Sequence, residues 1–339
     1  MIDFVKRMVD MLNGKFDFIV KAKTEKLKIL FFTDMQVIDA AQQRFDGRLK
    51  ADEVILWDIN KIKENLYDEM DAVVKATCPD LIIITGDIVY GEFDDKGTTL
   101  ISFINKMESY AIPWAPVWGN HDNESKMTVK WQCERLLEAD HCLFKIGKAS
   151  GTGNYSIGLI NNEGELNQII YMLYSGGCVV NGVREKACFE QSQIDWVINS
   201  YKDICNSYKR QIPCFLCFHI PPVEFEETLL ERKLYKNREE FHPIVFNQKN
   251  GEFGEINENP APPHYFKIKE ILDNVKVNGV FFGHDHINNC SVVGKDGVRW
   301  TYVLKTGTYD YHDKNKLGGT LVEVLNNASF DVKHIYYKN

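Results

Sequence analysis

The run Leu81-Ile82-Ile83-Ile84-Thr85-Gly86-Asp87 constrains this chain more than any other stretch. Four consecutive apolar residues, three of them β-branched, describe a strand covered on both faces, and the run stops at a glycine followed by a carboxylate. That places Asp87 on the rim of a sheet. The same grammar recurs at Ile29-Leu30-Phe31-Phe32-Thr33-Asp34, Val117-Trp118-Gly119-Asn120-His121-Asp122, Cys214-Phe215-Leu216-Cys217-Phe218-His219 and Val280-Phe281-Phe282-Gly283-His284-Asp285-His286. Five strand ends that each deliver oxygen or imidazole ligands to one edge predict a metal site built on a sheet.

A chain of 339 residues with 44% hydrophobic content has ample material for a large α/β core. Its net charge of −8 repels polyanions, so nucleic acid is disfavoured as a partner. Nine cysteines, odd in number and scattered, fit reduced thiols rather than a disulfide framework. Cys214 and Cys217 form a C-x-x-C, but their odd separation within a strand sends them to opposite faces as small buried hydrophobes. The N-terminus lacks a signal-peptide core and no run is long enough to span a bilayer. The expectation is a soluble cytoplasmic protein with no membrane partner.

Taken in order, residues 1–25 read as a short helix and an extended arm, and residues 26–339 as one domain. Ile55, Ile59, Ile62, Leu66, Met70 and Val73 recur at helical spacing and predict one long helix, which completes a right-handed βαβ unit with the strand at 81–85. Helices are expected near 97–110, 124–137, 191–205 and 265–274. Strands near 154–160 and 168–174 mark passage into a second sheet, and those near 298–304, 319–325 and 329–337 its antiparallel closure. Between Pro221 and Pro263 the periodicity breaks down, and this stretch is either a lid over the site or a solvated insertion.

Singly, each site residue has a plain structural explanation, since an aspartate at a strand end often caps a helix and a lone histidine often serves the core. In the order Asp, Gly-Asp, Gly-Asn-His-Asp, His-Ile-Pro, Gly-His-Asp-His, however, the chain resembles the calcineurin-like metallophosphoesterases, which include purple acid phosphatases. The resemblance runs from Asp34 to His286. It implies an α/β fold, a four-layer α/β/β/α sandwich of two mixed β-sheets flanked by helices, with a two-metal site at the strand ends. Carried over by position, Asp34 and His286 hold the first metal, Asp87 bridges, and Asn120, His219 and His284 complete the second. The metals implied are iron paired with manganese, zinc or iron. His121 is the implied general acid or charge stabiliser at the leaving group. Two cations about 3.5–4 Å apart need a shared carboxylate, and a bridging water between them becomes a hydroxide nucleophile.

Most of the family has Asp-x-His at the first motif, where this chain has Asp34-Met35-Gln36. Two residues compete for the missing place: Gln36 as an oxygen ligand, or Tyr90, three residues after the bridging aspartate as in purple acid phosphatases, whose tyrosinate favours iron(III). Gly153-Asn154-Tyr155 and Tyr174-Ser175-Gly176-Gly177 loosely match signatures of the purple-acid-phosphatase-like branch. The function implied is hydrolysis of a phosphate mono- or diester, carried by a small molecule or a phosphoprotein. The alternative is an inactive phosphate-ligand-binding protein on the same fold. A nuclease lacks its basic stripe and stacking platform here. Nothing in the sequence encodes the oligomeric state.

Overall fold

Strands with apolar residues at every position need cover on both sides, and two packed sheets with outer helices supply it. The computed structural model describes residues 14–177, 179–180, 183–184, 188–234, 236–246, 251–260 and 267–337. Its strands, in chain order, are β1 (Phe18–Lys21), β2 (Lys26–Phe32), β3 (Leu81–Thr85), β4 (Trp114–Val117), β5 (Tyr155–Ile160), β6 (Leu166–Met172), β7 (Val179–Val180), β8 (Val183–Arg184), β9 (Cys214–Cys217), β10 (Ile244–Val245), β11 (Glu255–Ile256), β12 (Val277–Phe282), β13 (Ser291–Val293), β14 (Arg299–Tyr302), β15 (Gly318–Leu325) and β16 (Phe330–Tyr336). One sheet runs β16-β15-β2-β3-β4 and the other β1-β5-β6-β9-β12-β14-β13. Both are mixed: β2, β3 and β4 are mutually parallel, as are β6, β9, β12 and β14, while β15, β16, β5 and β13 add antiparallel pairs.

The sheets face one another through Phe31 stacked on Phe281, ring centroids 4.6 Å apart, and Phe215 edge-on to Phe330 at 4.8 Å. Strand alternation sorts the second sheet's residues between two cores. Phe215, Cys217 and Phe281 point to the interior shared with the first sheet, whereas Cys214, Leu216, Val280 and Phe282 pack under the helices Gln191–Tyr208, Val223–Glu231 and Lys269–Asn274. The C-x-x-C cysteines thus occupy different cores, and both are free thiols. Helices Asp68–Thr77, Thr98–Ser109 and Val129–Glu138 cover the first sheet with Met70, Val73, Leu100, Phe103, Met107 and Leu136. Leu81, Ile82, Ile83 and Ile84 have no exposed surface at all. Burial of this kind contributes about 1.5–3 kcal/mol per side chain.

The structure departs from the sequence expectations at several elements. The long helix through residues 55–73 is broken: Ala51–Leu56 ends at Trp57, a 3-10 turn covers Ile59–Lys61, a π-type turn covers Lys63–Tyr67, and Asp68–Thr77 follows. Asp58 restarts the chain by accepting the Asn60 amide at 2.8 Å, and the Asn65 side chain donates to the Leu56 carbonyl, so Ile55 is left 65% exposed. The helix expected at 124–137 begins only at Val129, where Thr128 caps the Trp131 amide. The last two strands close the first sheet rather than the second, with Ile29, Leu30 and Phe31 of β2 paired to Val322, Leu321 and Thr320 of β15. Phe18–Lys21, read as arm, forms the edge strand β1 against β5; residues 1–13 lie outside the described residues. The stretch 221–263 is not irregular throughout: Val223–Glu231 is a helix that buries Phe225 and Leu229, and β10 pairs with β11. Of the helix expected at 265–274, Lys269–Asn274 is helical and 265–266 lie outside the described residues.

Candidate metal centre

Every candidate ligand sits just past the end of a strand, where the sheet's hydrogen bonding stops and the backbone is free to turn. Four of these residues turn into the left-handed region: Asp34 (φ 52°), Gln36 (42°), Asp87 (51°) and His284 (79°). Non-glycine residues adopt it at a cost of about 1–3 kcal/mol, and such strain collects where neighbours over-determine a site. Here they do. Asp34 donates its amide to the Gly86 carbonyl, Gln36 donates its amide to the Asp87 carbonyl, and Asp34 Oδ2 accepts from Thr33 Oγ1 (2.8 Å) and the His284 amide (2.9 Å). Asp122 accepts the amides of Gly119, Asp87 and Val89, fixing the loop after β3. Gly119 is required by closeness: a Cβ there would collide with the Asp87 carboxylate.

Asp34, Asp87 and His219 bring ligand atoms within 4.8 Å of one another. His219 Nδ1 lies 2.8 Å from the Thr85 carbonyl and His286 Nδ1 2.8 Å from the Tyr311 carbonyl. A carbonyl only accepts, so both Nδ1 atoms carry protons and both Nε2 atoms turn inward. His219 Nε2 is 3.2 Å from Asp87 Oδ2 and 3.8 Å from Asp34 Oδ1, and His286 Nε2 is 3.4 Å from the same Oδ1. His284 Nδ1 is 3.4 Å from His219 Nε2. The inward Nε2 atoms therefore confront carboxylate oxygens.

The electrostatics favour positive charge at this point. Among the protein's own groups, burial disfavours a charged His219, but Asp87 and Asp34 outweigh it and push its pKa up to about 10. Burial would raise Asp34, yet His219 and His286 hold it down at about 2, and Asp87 is likewise held far below the usual carboxylate range by His219 and His121. Burial and the neighbouring His219 keep His284 neutral, with a pKa of about 3. Asp122, buried and close to Asp87, is raised to about 7. Asp34 Oδ1, Asn120 Oδ1 and Gln36 Oε1 are buried acceptors without a hydrogen-bond donor. A buried acceptor left without a partner costs about 1–3 kcal/mol, a cost that a bound cation would remove.

His121 lies at the side of this cluster. Its amide donates to Asp87 Oδ1 at 2.9 Å, its Nδ1 pairs with Glu124 Oε2 at 2.8 Å, and its ring lies on Tyr90 at 4.3 Å. Burial lowers its pKa, but Asp87 and Glu124 raise it more. Tyr90 turns its hydroxyl to Arg48, which donates at 2.8 Å, and burial raises the phenol to about 12. Gln36 donates Nε2 to Asp87 Oδ2 at 3.2 Å. Asn154 serves the scaffold, its Oδ1 accepting the Tyr174 amide and the Gln193 side chain.

Sequence reasoning missed Glu124 and the loop from Lys305 to Tyr311. That loop places the Tyr311 ring flat on His286, centroids 4.1 Å apart, and brings Asp310 Oδ2 4.0 Å from His286 Nδ1. The signal was present: Thr301-Tyr302-Val303-Leu304 followed by Lys305-Thr306-Gly307-Thr308-Tyr309-Asp310 has the same apolar-to-polar break as the five motifs.

A family model of calcineurin-like phosphoesterases matches residues 27–288. Phosphatase DCR2 of Saccharomyces cerevisiae is 30% identical over 223 residues, 62% of this chain and 36% of that protein. Probable inactive purple acid phosphatase 29 of Arabidopsis thaliana is 26% identical over 321 residues, 86% of this chain and 74% of that protein. The chain thus spans about a third of the yeast relative's length and about three quarters of the plant relative's. A solved dimetal phosphatase from Danio rerio superposes over 92% of this chain and 99% of its own, at 12% identity and a TM-score of 0.47.

Proposed function

The chain belongs to the calcineurin-like phosphoesterase family, and from that premise we propose that it hydrolyses a phosphate mono- or diester at a two-metal centre. The observation that carries this reading is the meeting of inward Nε2 atoms with carboxylate oxygens around buried acceptors that have no donor. Asp34 and His286 would hold one metal, Asn120, His219 and His284 the other, with Asp87 shared. When bound, such a pair supplies an acidified water and positive charge for the phosphoryl oxygens. Gln36 is favoured over Tyr90 as the remaining oxygen donor, because Gln36 Oε1 is a buried acceptor with no donor while the Tyr90 hydroxyl is engaged by Arg48 and holds its proton tightly. A tyrosinate-iron(III) centre is correspondingly disfavoured, and the metals proposed are divalent ions of the iron, manganese and zinc group.

The protein's own groups do the rest. Asp87 is aimed by the His121 amide and Gln36, and Asp122 holds the loop that presents it. Glu124 engages Nδ1 of His121, which leaves Nε2 to give a proton to the departing oxygen or to stabilise its charge. The substrate class, a small molecule or a phosphoprotein, and a cytoplasmic setting are parts of the same proposal. The net charge of −8 argues against nucleic acid.

A second reading, ligand binding without turnover, is favoured by one observation: the Arabidopsis relative bears the name of a probable inactive enzyme. Hydrolysis of p-nitrophenyl phosphate and its bis ester with added manganese or iron separates the two. Turnover that Asp87→Asn abolishes supports the phosphoesterase. Absence of turnover in the metal-loaded wild type supports the binding protein.

A further inference from the structure

Lys305 is the lysine that stands out among the described residues, because it alone of their lysines and arginines is buried, with 1% of its surface exposed. The backbone around it is tied to both sheets. The Val303 amide donates to the Phe282 carbonyl, the Lys305 carbonyl accepts from the Gly318 amide, and the Thr306 amide donates to the Thr33 carbonyl. From this anchor Lys305 Nζ reaches the main-chain oxygen of Asp34 at 2.6 Å. Asp34 is one of the residues held at positive φ, and its Oδ1 is the atom facing His286 and His219.

We propose that Lys305 is a positioning residue for the first metal: by fixing the Asp34 carbonyl it holds that residue in its left-handed conformation and keeps Oδ1 aimed at the cation. The inference rests on the two-metal reading above. Its rival is electrostatic. A buried ammonium beside two cation sites repels metal, so on charge alone its removal tightens binding. If positioning dominates, removal weakens it, and at one site more than the other. Partners that orient a metal ligand typically change affinity by about 10- to 100-fold.

The experiment titrates chelator-stripped wild type, Lys305→Met and Lys305→Gln with manganese(II) by calorimetry, with ion content measured independently. Methionine keeps the lysine stem as far as Cε, without donor or charge. Glutamine keeps an N–H donor one bond short of the carbonyl. The wild type is expected to take two ions. Lys305→Met is expected to lose about tenfold or more in affinity at one site while the other changes little, and Lys305→Gln to recover part of that loss, with stripped proteins melting close together. Should Lys305→Met fail to fold, the Lys305→Gln titration decides alone by the same one-site weakening. Variants that bind both ions as the wild type does, or more tightly, or that weaken both sites equally, overturn the proposal and leave the two-metal reading standing. A wild type that takes up no manganese overturns both.

Discussion

At the scale of single residues, the site shows that placement of a proton or a lone pair matters as much as residue type. His121 was legible as a catalytic candidate from Gly119-Asn120-His121-Asp122, but its partner Glu124 was not, because contact at three residues' separation depends on the 3-10 turn Asp122–Glu124. If His121 serves the leaving group, His121→Gln should slow hydrolysis of an alkyl phosphate by about 10²- to 10⁴-fold and that of p-nitrophenyl phosphate much less, since nitrophenolate needs little help in leaving. Equal losses on both substrates would remove that role. A second expectation concerns Glu69, which is 2% exposed and accepts the Gly307 amide at 2.8 Å. Burial pushes its pKa up to about 8, and the Gly307 amide and Lys305 pull it only part of the way back. The folded protein thus binds this proton more tightly than the unfolded chain, whose glutamate titrates near 4.3. Its contribution to stability is complete below that value and is lost as pH rises through about 8. Urea unfolding of Glu69→Gln should therefore show a shallower decline in stability between about pH 5 and about pH 8 than the wild type. Identical slopes would count against it.

At the scale of elements, β3 was readable because all five of its positions are buried and four of them are consecutive aliphatic residues. Ile83→Ala leaves a cavity between the two sheets and should cost about 2–5 kcal/mol in chemical denaturation. A loss below about 1 kcal/mol would mean the sheet collapses around the deletion. The broken helix at residues 51–77 was not readable. Its apolar spacing is helical throughout, and the interruption comes from Asp58 and Asn65, short polar side chains that bond to nearby backbone. Whether such a residue breaks a helix or rides on its surface depends on what the backbone packs against.

At the scale of the whole molecule, the candidate metal centre forms only where the ends of two sheets meet. Asp34, Asp87 and Asn120 follow strands of the first sheet, and His219, His284 and His286 follow strands of the second. Metal uptake at this centre would therefore be coupled to folding. An ion at about 100 times its dissociation constant adds about 2.7 kcal/mol, a rise of several degrees in melting temperature that chelation reverses. Asp87→Asn should lose most of that rise, and a variant that keeps it in full would argue against a shared ligand. The sequence alone determined which strand ends carry carboxylate, amide and imidazole groups, because burial on both faces and an abrupt polar stop are local properties written in consecutive residues. Only the tertiary structure decided that β15 and β16 close the first sheet, that His219 and His286 turn Nε2 inward, and that Lys305 and Tyr311 support the site from a loop at the far end of the chain. Alternation along a strand specifies its faces but not its neighbour, and a hydrogen bond across 271 residues of chain has no local pattern to announce it.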